Sequence, residues 1–230
     1  MLLLAVDTSG KSGSIAVAQC EERSTCEVLG ISALEGGTFS AQLIPQVATL
    51  LQGLGLSKGD LEGFAVVSGP GSFTGLRIGL AAVKALAEIL HQPIAAVSLL
   101  EAVAAEAIIK SAKVNTITAA LEAGRGEIYI GEYATAEGNA RHVSMLREHL
   151  YAGQEFVEHS AGLVVTPDAR IAELARAAGK DIQQIERPRA DAIARLGWQK
   201  MQAHTLVSPE ELEANYIRRT DAELLSKSGS

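Results

Sequence analysis

The sequence predicts an α/β protein of two similar lobes that meet at a cleft. Three observations carry this. Short apolar runs that read as buried strands alternate along the chain with helical spacing. A strand meander followed by alternating helices and strands occurs twice, with shared element order but no clear residue identity between the halves. A glycine-rich turn, Gly69 to Gly79, joins a buried strand to a helix, the arrangement that aims backbone N–H groups outward at a helix N-terminus.

In the first half, Leu2 to Val6 reads as a buried strand, Asp7 to Gly13 as turn chemistry, and Ser14 to Ala18 as the returning strand of a hairpin. Glu27 to Leu34 follows as a third strand. Ser40 is placed to cap a helix to about Gln52, whose Leu43, Val47, Leu50 and Leu54 have helical spacing; Pro45 lies past its first turn. A strand at Phe64–Val67, a helix over Leu80–Leu90 whose start reaches back to about Ser72, a strand at Pro93–Val97 and a helix at Leu99–Lys110 complete this half.

In the second half, Asn115 to Leu121 is a strand, Glu122 to Gly126 a turn, and Glu127 to Tyr133 the partner strand. A third strand is expected at His142–Arg147 and a short buried one at Leu163–Thr166. Helices are expected at Pro167–Ala178, with Pro167 near the first turn, and at Arg189–His204. Pro209 to Leu225 reads as charged and partly helical, and Ser226 to Ser230 as disordered.

The glycine-rich turn fails the common catalytic patterns. A P-loop ends in Gly-Lys-Ser/Thr, where this chain has Thr74-Gly75-Leu76. The dinucleotide fingerprint needs a glycine where Thr74 sits, and a nucleophile elbow needs glycines where Pro70 and Thr74 flank Ser72. Gly75, Gly79 and Ala82 share one helix face, beside a stripe of Ile78, Ala81, Ala85 and Ile89. Each helical glycine costs about 1 kcal/mol relative to alanine. Two compensations are open: tight packing of this face on the lobe's own sheet, or contact with another subunit.

With 230 residues and 47% hydrophobic content, the chain can fill one or two domains and is not of disordered composition. A net charge of −7 and the lack of a long Lys/Arg run make it a poor grip for nucleic acid on its own. Cys20 and Cys26 have no further cysteine pair for zinc and read as inert thiols. The apolar start stops at Asp7 without a basic leader, and no run is long enough to span a bilayer, so a cytosolic protein is expected.

Asp7, where a strand gives way to a turn, is placed either to hold a magnesium-bound phosphate or to cap the turn. His91, His142, His149, His159 and His204 show no metal-ligand spacing, so no metal site is expected. Glu122, Arg125 and Glu127 form either a polar patch facing the cleft or a solvated turn. Tyr216 beside Arg218 and Arg219 serves either to grip an anion or to pin the tail to the body.

Taken in order, Asp7-Thr8, the Gly69–Gly79 segment, Gly126-Glu127-Ile128-Tyr129 and Tyr216-Ile217-Arg218 resemble segments of the bacterial TsaB (YeaZ) family, over nearly the whole chain. The resemblance implies a duplicated actin-like (ASKHA, RNase H-like) fold that has lost most of its nucleotide machinery. It implies a non-catalytic scaffold and dimerisation subunit of the system that makes threonylcarbamoyladenosine beside the anticodon of tRNAs reading codons that begin with A. The implied partners are a TsaD-like catalytic subunit, a TsaE-like ATPase, a second copy of the chain when alone, and tRNA only through the complex. No cofactor and no membrane are implied. The chain would divide into an N-terminal lobe with partner-binding helices (1–110), a C-terminal lobe (111–205) and a tail (206–230).

On this resemblance the candidate partner contacts are Leu43, Val47 and Leu50 on the first helix and Arg77, Ala81 and Lys84 on the second. Asp7, Gly71 and Ser72 are the candidate nucleotide or anion contacts. The rival reading is an actin-like nucleotide-hydrolysing enzyme using Asp7 and the Gly69–Gly75 loop. The sequence departs from the family pattern at Glu122-Ala123-Gly124, where Asp-Ala-Arg is usual, at Phe39-Ser40-Ala41, where His-Ser-Glu is usual, and at Ala214, where a proline is usual.

Overall fold

A computed structural model describes residues 1–21, 26–110, 115–135 and 143–217, with side chains of 108–110 excepted. The first sheet contains β1 (Leu2–Asp7), β2 (Gly13–Gln19), β3 (Glu27–Leu34), β4 (Gly63–Gly69) and β5 (Ile94–Ser98), in the order β3-β2-β1-β4-β5. β1 runs antiparallel to β2 and parallel to β4. Every residue of β1 and β4 is buried, as continuous apolar runs covered on both faces require.

The second sheet contains β6 (Thr116–Gly124), β7 (Glu127–Thr135), β8 (Val143–Ala152), β9 (Leu163–Thr166) and β10 (Ile182–Gln184), in the order β10-β9-β6-β7-β8. Read from β8 this is the first sheet's topology again, with the same mix of antiparallel and parallel pairs. The fold is therefore a duplicated, actin-like α/β pair of lobes.

Helices α1 (Phe39–Gly53) and α2 (Phe73–Leu90) lie side by side on one face of the first sheet. α3 (Leu99–Lys110) packs on the second sheet, although it belongs to the first half of the sequence. α4 (Gly153–His159) and α5 (Ala169–Ala177) cover that sheet's other face, where Phe156, Ile171 and Ala175 meet Ile128, Ile130 and Val164. α6 (Ala190–Gln202) returns to the first sheet. A side chain on Gly197 of α6 would meet Ala65, the register partner of Ala5, whereas Gly79 of α2 faces Val6, so α2 and α6 lie on opposite faces. The boundary expected near residue 110 thus divides the sequence but not the packing: α3 and α6 are exchanged between sheets. A half-buried ion pair, Lys200 to Glu101 at 3.0 Å, joins these two helices.

The second helix does begin within the glycine-rich loop, at Phe73, because Ser72 accepts from the Gly75 N–H and caps it there. Several expectations are corrected. α5 begins at Ala169 after Asp168, so Pro167 precedes the helix. β8 continues past Arg147 to Ala152; His142 and Arg218–Ser230 lie outside the described residues. Pro209 to Ile217 forms no helix. α4, β10 and a 3-10 turn at Lys58–Asp60 have no counterpart in the sequence reading. Cys20 and Cys26 are not free thiols: they form a disulfide between the end of β2 and the start of β3, where the hairpin brings them together.

Candidate functional site

The glycine-rich loop owes its composition to a second loop packed beneath it. A Cβ on Gly75 would stand 2.0 Å from the Thr8 carbonyl oxygen, one on Gly79 2.4 Å from Thr8 Oγ1, and one on Gly71 2.5 Å from the Ser9 carbonyl oxygen. Thr8 Oγ1 donates to the Gly75 carbonyl at 2.7 Å, and the Ser72 N–H donates to the Ser9 carbonyl at 2.7 Å. The small-residue face of α2 therefore packs on the lobe's own β1 turn, which decides that open point for the glycines.

Asp7 serves the same junction. It is 3% exposed, and its Oδ1 accepts from Ser9 N–H at 2.8 Å and Ser9 Oγ at 2.6 Å. Burial pushes its carboxyl above the usual range, against the Ser9 hydrogen bonds and the nearby Arg187 guanidinium, which lower it. Asp7 thus takes the turn-capping role rather than facing the cleft. A folded-state pKa raised above the unfolded one adds stability below the ordinary value of 3.8, and this is lost as pH rises through the folded value. Asp7→Asn is therefore expected to melt above wild type at pH 7, because an amide oxygen can keep the Ser9 bonds without a buried charge. The gap should close towards pH 4. A lower melting temperature at pH 7 would show that the charge, with Arg187, is favourable.

Between the lobes lies a cleft of about 850 Å³. Ser9–Ser12 and Pro70–Ser72 form one wall, Leu121–Gly124, Tyr129 and Asp168 the other, and Arg187 also lines it. Of the candidate anion contacts, Gly71 and Ser72 reach this cleft and Asp7 does not. Ser72 already caps α2. Glu122 lines the cleft and pairs with Arg170 at 2.7 Å, while its N–H donates to Asp168 at 2.8 Å. Arg125 sits in the left-handed region at φ 54° in the β6–β7 turn. Arg187 had no motif to mark it. Its Nη2 lies 3.4 Å from Ser9 Oγ, and its buried Nε lacks a hydrogen-bond partner among the described residues. Among those residues no group of three or more His, Cys, Asp or Glu side chains could hold a metal ion.

The candidate partner contacts divide differently than expected. Leu43 and Val47 are 2% and 6% exposed and belong to the lobe's own core, and half-buried Leu50 packs over Gly30. The physical reason is that an apolar stripe at helical spacing is what a helix turns to its own sheet. The exposed residues of α1 include Ala41, Ile44, Pro45 and Ala48. On α2, Arg77 and Ala81 are exposed, as are Ala85 and Ile89, while Lys84 is half-buried and interacts with Glu210. Arg77 is held: its guanidinium lies 3.6 Å over the Phe73 ring and its Nε donates to Tyr216 Oη at 3.2 Å. Among the described residues, no helix is long and apolar enough to cross a membrane.

Comparison with known proteins agrees with this architecture. The family model for TsaD, tRNA N6-adenosine threonylcarbamoyltransferase, matches residues 36–187, more than half of the chain. The tRNA threonylcarbamoyladenosine biosynthesis protein TsaB of Bacillus subtilis is 36% identical over 138 residues, which is 60% of this chain and 57% of that protein. TsaB of Haemophilus influenzae is 30% identical over 132 residues, 57% of this chain and 53% of that protein. The matched part thus spans a little over half the length of these relatives. The solved structure of YeaZ from Pseudomonas aeruginosa superimposes with a TM-score of 0.72 at 23% identity, covering 94% of this chain and 99% of that one. The chain belongs to the family described by the TsaD model and, within it, to the TsaB (YeaZ) group.

Proposed function

We propose that this chain is the non-catalytic scaffold subunit of a tRNA threonylcarbamoyladenosine assembly, docking a TsaD-like catalytic subunit on the outward faces of α1 and α2. The observation that carries this is the split character of α2. Its glycines are consumed inside the lobe against Thr8, yet Ala81, Ala85 and Ile89 remain exposed, as does Ile44 of α1. Ile89 is 69% and Ile44 49% exposed, a placement that fits a surface covered by a partner. Small outward side chains let a second helix approach closely. A second copy of the chain would use the same face when the catalytic subunit is absent. A TsaE-like ATPase would join the assembly, and tRNA would be engaged only by the complex, in line with the net charge of −7.

The test is co-purification with the TsaD-like subunit of the same organism, followed by tRNA modification with and without this chain. Modification should need this chain, and sedimentation should show a homodimer that the catalytic subunit displaces. Modification at full rate without the chain would overturn the reading, as would a complex that leaves the homodimer contact intact.

The nucleotide-hydrolysing alternative has one observation in its favour, the interlobe cleft lined by Ser9–Ser12 and by Gly71, Ser72, Thr74 and Gly75. Against it stand the Asp7 carboxyl engaged by Ser9 and the use of Ser72 as a helix cap. The isolated chain is expected to hydrolyse ATP no faster than buffer. A turnover abolished by Asp7→Ala would favour the enzyme.

A further inference from the structure

Glu148 sits where three parts of the chain converge. It projects from β8, an edge strand of the second sheet. Its Oε1 accepts from Tyr133 Oη at 2.8 Å and from Ser98 Oγ at the end of β5, in the other sheet. Its Oε2 accepts from Asn215 Nδ2 at 2.7 Å. Tyr133 is fully buried, and burial together with the Glu148 charge pushes its phenol well above its ordinary value, so it stays a donor.

The segment held by Asn215 is short and tied at every residue. The Asn215 N–H donates to the Ser68 carbonyl at 2.7 Å. Its own carbonyl oxygen lies only 2.6 Å from where a Cβ on Gly69 would be, and Gly69 has φ 141°, so glycine is required there. The Tyr216 ring rests on Phe73, with centroids 5.0 Å apart, and its hydroxyl accepts from Arg77. Ile217 lines a surface pocket together with Met145, Glu148, His149 and Leu150.

We propose that Glu148 is an interlobe latch. One carboxylate oxygen fixes the second lobe to β5 of the first, and the other holds the strap Asn215–Ile217 that sets the Phe73–Arg77–Tyr216 platform at the start of α2. The latch couples the angle between lobes to the shape of that platform. A carboxylate suits the post because each oxygen can accept separately and all three neighbours are donors. The inference does not depend on which partner α2 meets.

The chemistry gives a rescue test on the full chain. Asn215→Asp sets two carboxylates against each other and is expected to raise amide exchange at 215–217 at least tenfold. Adding Glu148→Gln turns the facing group into a donor, N–H to carboxylate, while its amide oxygen still serves Ser98 and Tyr133. The double variant should return to within about twofold of wild type. Spin labels on Gln52→Cys and Glu173→Cys, one on each lobe, should show a broader distance distribution in Glu148→Ala. Wild-type exchange in Asn215→Asp would overturn the latch, as would a double variant that exchanges as fast as the single one or an unchanged distance distribution in Glu148→Ala. Should Glu148→Ala not fold, the Asn215 pair of variants still decides.

Discussion

Ala81→Arg is expected to leave the melting temperature of the isolated chain near wild type and to weaken association with the TsaD-like subunit by about 2–5 kcal/mol, which is roughly thirtyfold or more. Ala81 is exposed, so an arginine there has room and water in the free chain. The loss appears only on association. A long charged side chain would separate two helices that small residues let approach, and its charge would be desolvated without a partner. Calorimetric melting and partner titration on the same variant separate the outcomes. Both quantities unchanged would remove Ala81 from the interface. A large fall in melting temperature would mean that the stripe packs inward. Val47→Arg is the internal contrast: at 6% exposure it should cost stability in the free chain before any partner is added.

Much of the fold was legible because its signals are local. The Leu2–Val6 run, the Glu27–Leu34 edge strand and the mostly apolar Leu99–Ala107 stretch, broken only by Glu101 and Glu106, each carry their pattern within a few residues. Element order alone revealed the duplication, which the two sheets repeat strand for strand. The resemblance named Leu43 and Val47 as partner contacts, but both are buried in the lobe's core, since an apolar stripe marks the core face whether or not a partner exists. β10 is only three residues long and α4 seven, too short for either period to register. That α3 and α6 change sheets is a tertiary fact with no local signature.

The candidate site was less legible for a different reason. Its bonds join residues far apart in sequence: Arg187 to Ser9, Asn215 to Glu148, Thr8 to Gly75. No spacing rule covers such pairs. The glycines of the loop were visible as an anomaly in helix propensity, but the group that excludes their side chains, the Thr8 backbone, became visible only in the fold. Asp7 was open between ligand binding and turn capping. What fixes the second role is the neighbouring Ser9, whose N–H and hydroxyl both reach one carboxylate oxygen.

Gly75→Ala should destabilise the chain, against the direction that helix propensity gives. Within α2, alanine is favoured over glycine by about 1 kcal/mol. The added Cβ, however, would stand 2.0 Å from the Thr8 carbonyl oxygen, far inside contact distance, so something must move. Thr8 cannot yield cheaply. It is buried, its hydroxyl donates to the Gly75 carbonyl, and the residues on either side of it are bonded to each other. Moving α2 instead would disturb the Ser72–Ser9 backbone bond and the contact of Gly79 with Thr8. Overpacking of this kind costs about 1–3 kcal/mol or more, which outweighs the propensity gain. At about 2–4 °C per kcal/mol for a chain of this size, the melting temperature should fall by several degrees. Gly53→Ala, at the last residue of α1 with nothing near its Cβ position, supplies the control and should rise by up to about 1 kcal/mol. If both variants rise alike, the close seating of the glycine-rich loop on Thr8 is wrong. If Gly75→Ala falls while Gly53→Ala rises, the glycines are accounted for inside the lobe, and only the alanine and isoleucine face of α2 remains for a partner.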